Sequence, residues 1–197
     1  MLLPLALLAQ TATLPAGTVE AARTCAAIEF RSVGDPPSLA DLVRYFHLVF
    51  VAARTTRGTG RMLDHVPAEL AIIQPRALAG SDDMALRSEC RQRFPQTWAT
   101  QAVLPKDDFD RGVMCVAAVA TIGGLANSVG DSAAERRWRV LNDRLITLPV
   151  LTNQQQHRRG IMSSEAARTN SDRMLQVSLD LGNTLTVATA CEVAYPG

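Results

Sequence analysis

The sequence predicts an all-α fold: a single compact domain of five to seven helices wrapped around one buried central helix. Three observations carry that expectation. Apolar residues recur at three- and four-residue steps in several segments, capping residues stand directly before those segments, and Val113 to Asn127 is apolar on every side. The 197 residues are 47% apolar and 20% charged, enough to bury a sizeable core. With only 12 glycines and 10 prolines, they fit neither a collagen-like repeat nor a disordered linker. A formal charge of +1 supplies no net field to recruit nucleic acid or an anionic membrane.

The chain opens on MLLPLALLA, an apolar run far shorter than the roughly 20 residues of a transmembrane helix. Followed by Gln10 to Gly17, it reads as the apolar and cleavage regions of a secretory leader, with a cut after Ala16 or Ala21. No Lys or Arg precedes Leu2, so only the α-amino group supplies charge at the start; an ordinary apolar segment packed on the domain is the alternative. Ala22–Arg23–Thr24 before Cys25 does not suit a lipidation site. Residues 1–21 are therefore expected to form a signal peptide and residues 22–197 a single helical domain.

Ser38 opens a near capping box with Asp41 after the Gly34–Pro37 breaker. Leu39, Leu42, Val43, Phe46, Val49, Phe50 and Ala53 then mark one helical stripe that ends near Arg57–Gly58. Pro67 suits the first position of a short helix that Pro75 stops. Asp82 or Asp83 is placed to cap the next helix, with Leu86, Cys90 and Phe94 in one row before Pro95. Asp107, Asp108 and Asp110 lead into the central helix, where Gly123–Gly124 suggests a close neighbour. Ser132-Ala-Ala-Glu135 is a capping box for a helix with Trp138, Leu141, Leu145 and Leu148 on one side. For residues 174–195 two readings compete. Alternation around Gly182–Asn183 suits a β-hairpin, while the Met174, Val177, Leu181, Leu185, Ala188 spacing suits two helices meeting at Gly182. The helices are preferred, and a mainly α domain with a C-terminal hairpin is the alternative.

Four cysteines, Cys25, Cys90, Cys115 and Cys191, form an even set with no C-x-x-C spacing. In an exported chain they read as two disulfides rather than metal ligands, with Cys90–Cys115 and Cys25–Cys191 the preferred pairing. The first pair rests on antiparallel packing of the helices before and after Pro95. The second would tie the two ends of the mature chain together.

Organised chemistry is sparse. His47, His65 and His157 share no ligand spacing, and neither G-x-S-x-G nor S-x-x-K occurs. Asp108-Phe-Asp110-Arg-Gly112 imitates the start of a calcium loop, but Val119 stands where the loop needs Glu. Arg57-Gly-Thr-Gly60-Arg61 lacks the preceding strand of a phosphate loop. Lys106 is the only lysine among 20 basic residues; Arg136, Arg137, Arg139 and Arg144 spread around a helix and present no flat anion-binding face. No catalytic residue, cofactor or metal is assigned from sequence. The expected function is that of an exported, periplasmic or secreted, non-catalytic binding module of the bacterial envelope. Its partner is unknown, an envelope protein being one candidate, with no nucleic acid and no transmembrane helix expected. The alternative is a periplasmic enzyme whose groups converge only in the fold, such as His47 or His65 with an aspartate.

Overall fold

The computed structural model describes residues 14–58, 60–79 and 84–196. The described residues form nine α-helices and two short 3-10 turns, with no strand. The helices are α1 (Thr18–Ser32), α2 (Leu39–Thr56), α3 (Met62–Ala79), α4 (Met84–Arg93), α5 (Asp108–Ser128), α6 (Ser132–Leu145), α7 (Asn153–Arg158), α8 (Ser164–Ser178) and α9 (Thr184–Ala194). The all-α domain is as expected, and residues 174–195 are helices, not a hairpin. Asn183 decides this locally: its side chain accepts the Thr186 amide and starts α9 one residue after Gly182. Two helices exceed the expected count. One is α1, which begins inside the segment assigned to the leader. The other is α7, a polar NQQQHR turn with no apolar row to reveal it. Residues 1–13, most of the expected signal peptide, lie outside the described residues, as does the expected cap at Asp82 or Asp83.

Caps set most helix starts. Ser38 accepts the Asp41 amide ahead of α2, and Asp107 accepts the Asp110 amide ahead of α5. At α6 the cap is Asp131, which accepts the Ala134 amide, rather than Ser132 of the capping box. Gly130, at φ +70, turns the chain so that the carboxylate arrives one residue sooner. Helix α3 runs through both Pro67 and Pro75 rather than starting at one and stopping at the other. Its buried residues, Met62, Glu69, Ile73 and Ala77, share one face, and both prolines are exposed on the other. Carbonyls that lose their proline donor there can turn to water, so the helix survives.

The core has two parts. Helix α1 packs on α2, α3 and α4, and α5 packs on α6, α8, α9 and the Pro149–Leu151 turn. Helices α2 and α8 join them. Val43 and Met174 belong to the second part, while Leu48, Leu175 and Leu179 belong to the first. The tight approach to α5 falls at Gly112, where an added Cβ would lie 3.2 Å from Leu151 Cδ2; Gly123 makes only ordinary contact with Trp138 and Gly124 faces open space.

Each part carries one disulfide. Cys25 of α1 bonds Cys90 of α4, and Cys115 of α5 bonds Cys191 of α9, each with Cα atoms 5.6 Å apart. The expected Cys90–Cys115 and Cys25–Cys191 pairing is therefore corrected. It required α4 and α5 to form a hairpin, but the chain between them is led away. Asn183 Nδ2 donates to Thr97 O at 3.0 Å and Thr186 Oγ1 to Ala99 O at 2.6 Å, fastening this connection to the start of α9. Cys90 thus stays against α1, and Cys115 faces α9.

The first part also holds a buried ion pair. Arg23 of α1 donates twice to Glu69 of α3, at 2.7 and 2.8 Å, and Thr56 of α2 donates to the same carboxylate at 2.9 Å. The Arg23 guanidinium holds the Glu69 carboxyl below its usual range. Removing one partner of such a pair strands the other charge away from water. Glu69→Ala is expected to lower unfolding free energy by about 3 kcal/mol, the low end for a buried pair because Arg23 keeps Glu20. Urea titration reads this, and a loss under 1 kcal/mol would show that the pair is not a structural joint. Non-reducing peptide mapping is expected to recover Cys25 with Cys90 and Cys115 with Cys191; a peptide joining Cys90 to Cys115 would overturn this topology.

Candidate functional site

The start of α3 is built by a residue far away in sequence. Asp172 of α8 is buried, and its carboxylate accepts the amides of Met62 and Leu63 at 3.0 and 3.2 Å and the Gln176 side-chain amide at 2.6 Å. A helix start with free amides attracts an anion. Here the chain supplies its own, so these two amides are already taken.

Beside this junction lies a groove of about 580 Å³ between α3, α5 and α8. Its floor is Val116, Ala117, Ala120 and Thr121 of α5, and its far wall is Ala167, Ser171 and Leu175 of α8. Leu63, 45% exposed, forms the near lip. The groove adjoins a hollow of about 170 Å³ that shares Val116, Ala167 and Ser171 and ends on Phe109, Ile146 and Ile161. Charges of both signs stand on its rim. Arg61 pairs with Asp64 at 2.9 Å, and Arg168 lies 3.5 Å from Glu165 in an exposed contact. Within the groove the Asp172 carboxylate is spent on α3, Asp64 pairs with Arg61, and the Thr121 hydroxyl donates to Ala117 O at 2.8 Å.

The residues singled out from sequence do not meet here. The four cysteines are buried in their disulfides. His47 is 1% exposed in α2, and its Nδ1 has no hydrogen-bond partner. Burial, reinforced by the nearby Arg54 guanidinium and opposed by Asp180, pushes its pKa down to about 4. His65 is half-buried near Gly60, and His157 is exposed on α7. Among the described residues no histidine hydrogen-bonds a carboxylate. Among the described residues no three His, Cys, Asp or Glu side chains are grouped to hold a metal ion. The aspartates at the start of α5 serve as cap and ion-pair partners, with Asp107 bound to Arg159 and Asp110 to Arg173. The arginines around Trp138 are partly tied down within the fold: Arg137 pairs with Glu192 of α9, and Arg144 donates to Tyr195 O.

Sequence reasoning missed the groove, although it left a trace. Ala117, Ala120, Thr121 and Gly124 recur at the helical spacing i, i+3, i+4, i+7, a stripe of small residues along one side of α5. Asp172 left a fainter trace, a carboxylate near the middle of an amphipathic helix. No protein-family model matches this chain, and neither a curated protein nor a solved structure matches it.

The neutral His47 makes stability fall with acid. Its folded pKa lies below the ordinary 6.5, so between pH 6.5 and 4 the unfolded chain takes up the proton first. Its contribution is complete above pH 6.5 and is lost as pH falls toward 4, on the order of 3 kcal/mol in all. Urea midpoints measured from pH 7 to 4.5 should therefore drop less for His47→Gln than for the parent chain. Parallel pH profiles would refute a buried neutral imidazole.

Proposed function

We propose that this chain is an exported, non-catalytic binding module of the bacterial envelope whose groove along α5 seats an amphipathic helix of an envelope protein. The groove itself carries the reading. Its floor is a strip of small side chains, which lets another helix approach to the 8–10 Å typical of packed helices. Arg61, Asp64 and Arg168 stand along the rim where the charged flanks of an amphipathic helix would lie. On its other sides α5 is already covered by α2, α6, α8, α9 and the Pro149–Leu151 turn, so this strip is the side left for a partner.

Two disulfides fit an oxidising compartment, which supports export. Of the described helices, only α5 is long and apolar enough to cross a membrane, and 56% of its most apolar window is buried within the domain. That burial supports its reading as a core helix. The rival, a periplasmic enzyme built on His47 with an aspartate, has less support, because the imidazole is 1% exposed and so closed to substrate.

The reading is tested by placing a photo-cross-linking amino acid at position 120 in cells and, as a control, at exposed Val140 on α6. Irradiation is expected to give one discrete adduct from position 120, joined through an apolar helical segment of an envelope protein, and none from position 140. Equal adducts from both positions, or none from 120, would remove the groove as a binding surface.

A further inference from the structure

We infer that the chain is processed by hydrolysis of the Ala16–Gly17 peptide bond, an inference that rests on the export reading above. The two bonds weighed from sequence, after Ala16 and after Ala21, each leave a small residue before the cut, with Leu14 or Val19 two positions earlier. The fold separates them. Pro15, Ala16, Gly17 and Thr18 are exposed, and α1 begins one residue beyond the first bond, with Gly17 as its N-cap residue. A cut there leaves every helical residue in place. The Gly17 carbonyl still accepts the Ala21 amide at 2.9 Å, and Glu20 in the first turn offsets the new ammonium at the positive end of the helix.

The Ala21–Ala22 bond lies inside α1, between two residues that are both 0% exposed. Cutting it would place the Ala22 ammonium among apolar side chains, where an unpaired charge is strongly disfavoured. It would also remove Glu20, which accepts from both Arg23 and Arg76 and so helps join α1 to α3. The chain that remained would lack a sound α1.

Helix α4 adds an order of events. Glu89 accepts the Leu14 amide at 2.8 Å, and Arg93, one turn further on, donates to the Ala16 carbonyl at 2.7 Å. The Cys25–Cys90 disulfide fastens this same helix to α1. An endopeptidase must take the scissile segment into its own site, free of such main-chain partners, so hydrolysis comes before α4 docks. Water adds across the bond: its oxygen enters the Ala16 carboxylate, and the Gly17 nitrogen leaves as the new amine. The only co-reactant is water. After Leu14 and Ala16 have gone, Glu89 and Arg93 are left four residues apart with the acid N-terminal, the favoured order for a helical ion pair. The clamp then closes on itself.

The full chain is expressed in a bacterium, and the N-terminus of the exported protein is determined by sequencing and intact mass. A single N-terminus at Gly17 is expected. An exported chain that starts at Ala22, or at any other residue, overturns the assigned bond and leaves export standing. A chain retained in the cytosol from Met1 onward overturns both. Ala16→Glu is expected to accumulate uncleaved precursor; release of an Ala16→Glu chain that starts at Ala22 would place the cut at the second bond.

Discussion

A helix apolar around its whole circumference has to be covered on nearly every side, and much of this fold follows from covering α5. Its 21 residues include ten that are buried, spread around the axis rather than along one stripe. Helices α6, α8 and α9 and the Pro149–Leu151 turn close around it, with α2 on a further side. Gly112 admits the turn against the helix, since any side chain there would meet Leu151. Burying so many apolar groups supplies the main driving force for assembling elements distant in sequence. Where side chains are small, at Ala117, Ala120 and Thr121, the cover stops. The groove is the uncovered remainder of the same constraint.

Polar groups then make the joints that apolar packing leaves unspecific. The Arg23–Glu69 pair, with Thr56 on the same carboxylate, locks α1, α2 and α3 at their crossing. Asp172 locks α8 to the first turn of α3. Arg54 adds a third joint, donating from α2 to Gln176 O and Asp180 at the end of α8. Each joint links elements of the two core parts or of the crossing beside them, and each satisfies groups that burial would otherwise leave costly. One disulfide within each part completes the bracing. A partner helix in the groove would touch a surface held by α3, α5 and α8 together, and so would meet a largely preformed shape.

Much of this organisation is legible in the chain. The stripe from Leu39 to Ala53, the cap at Ser38, and the buried row of Trp138, Leu141 and Leu145 stand where spacing places them. The centrality of α5 follows from its composition alone. The candidate site is legible only as a stripe of small residues, because a groove is defined by what fails to cover a surface. That depends on the courses of α3 and α8, which no local pattern encodes.

The sequence by itself determined most of the helical segments and where several of them start. Those properties depend on interactions within about four residues: the i to i+4 backbone bond, the cap, and the repeat of apolar side chains. Only the tertiary structure decided that Cys25 meets Cys90 and Cys115 meets Cys191. It also decided that α3 continues through two prolines and that Asp172 caps a helix more than a hundred residues earlier. Those outcomes depend on the path taken between helices. Here that path was set by side chains reaching back to main-chain groups, as Asn183 and Thr186 do to Thr97 and Ala99, and such contacts leave no period in the sequence.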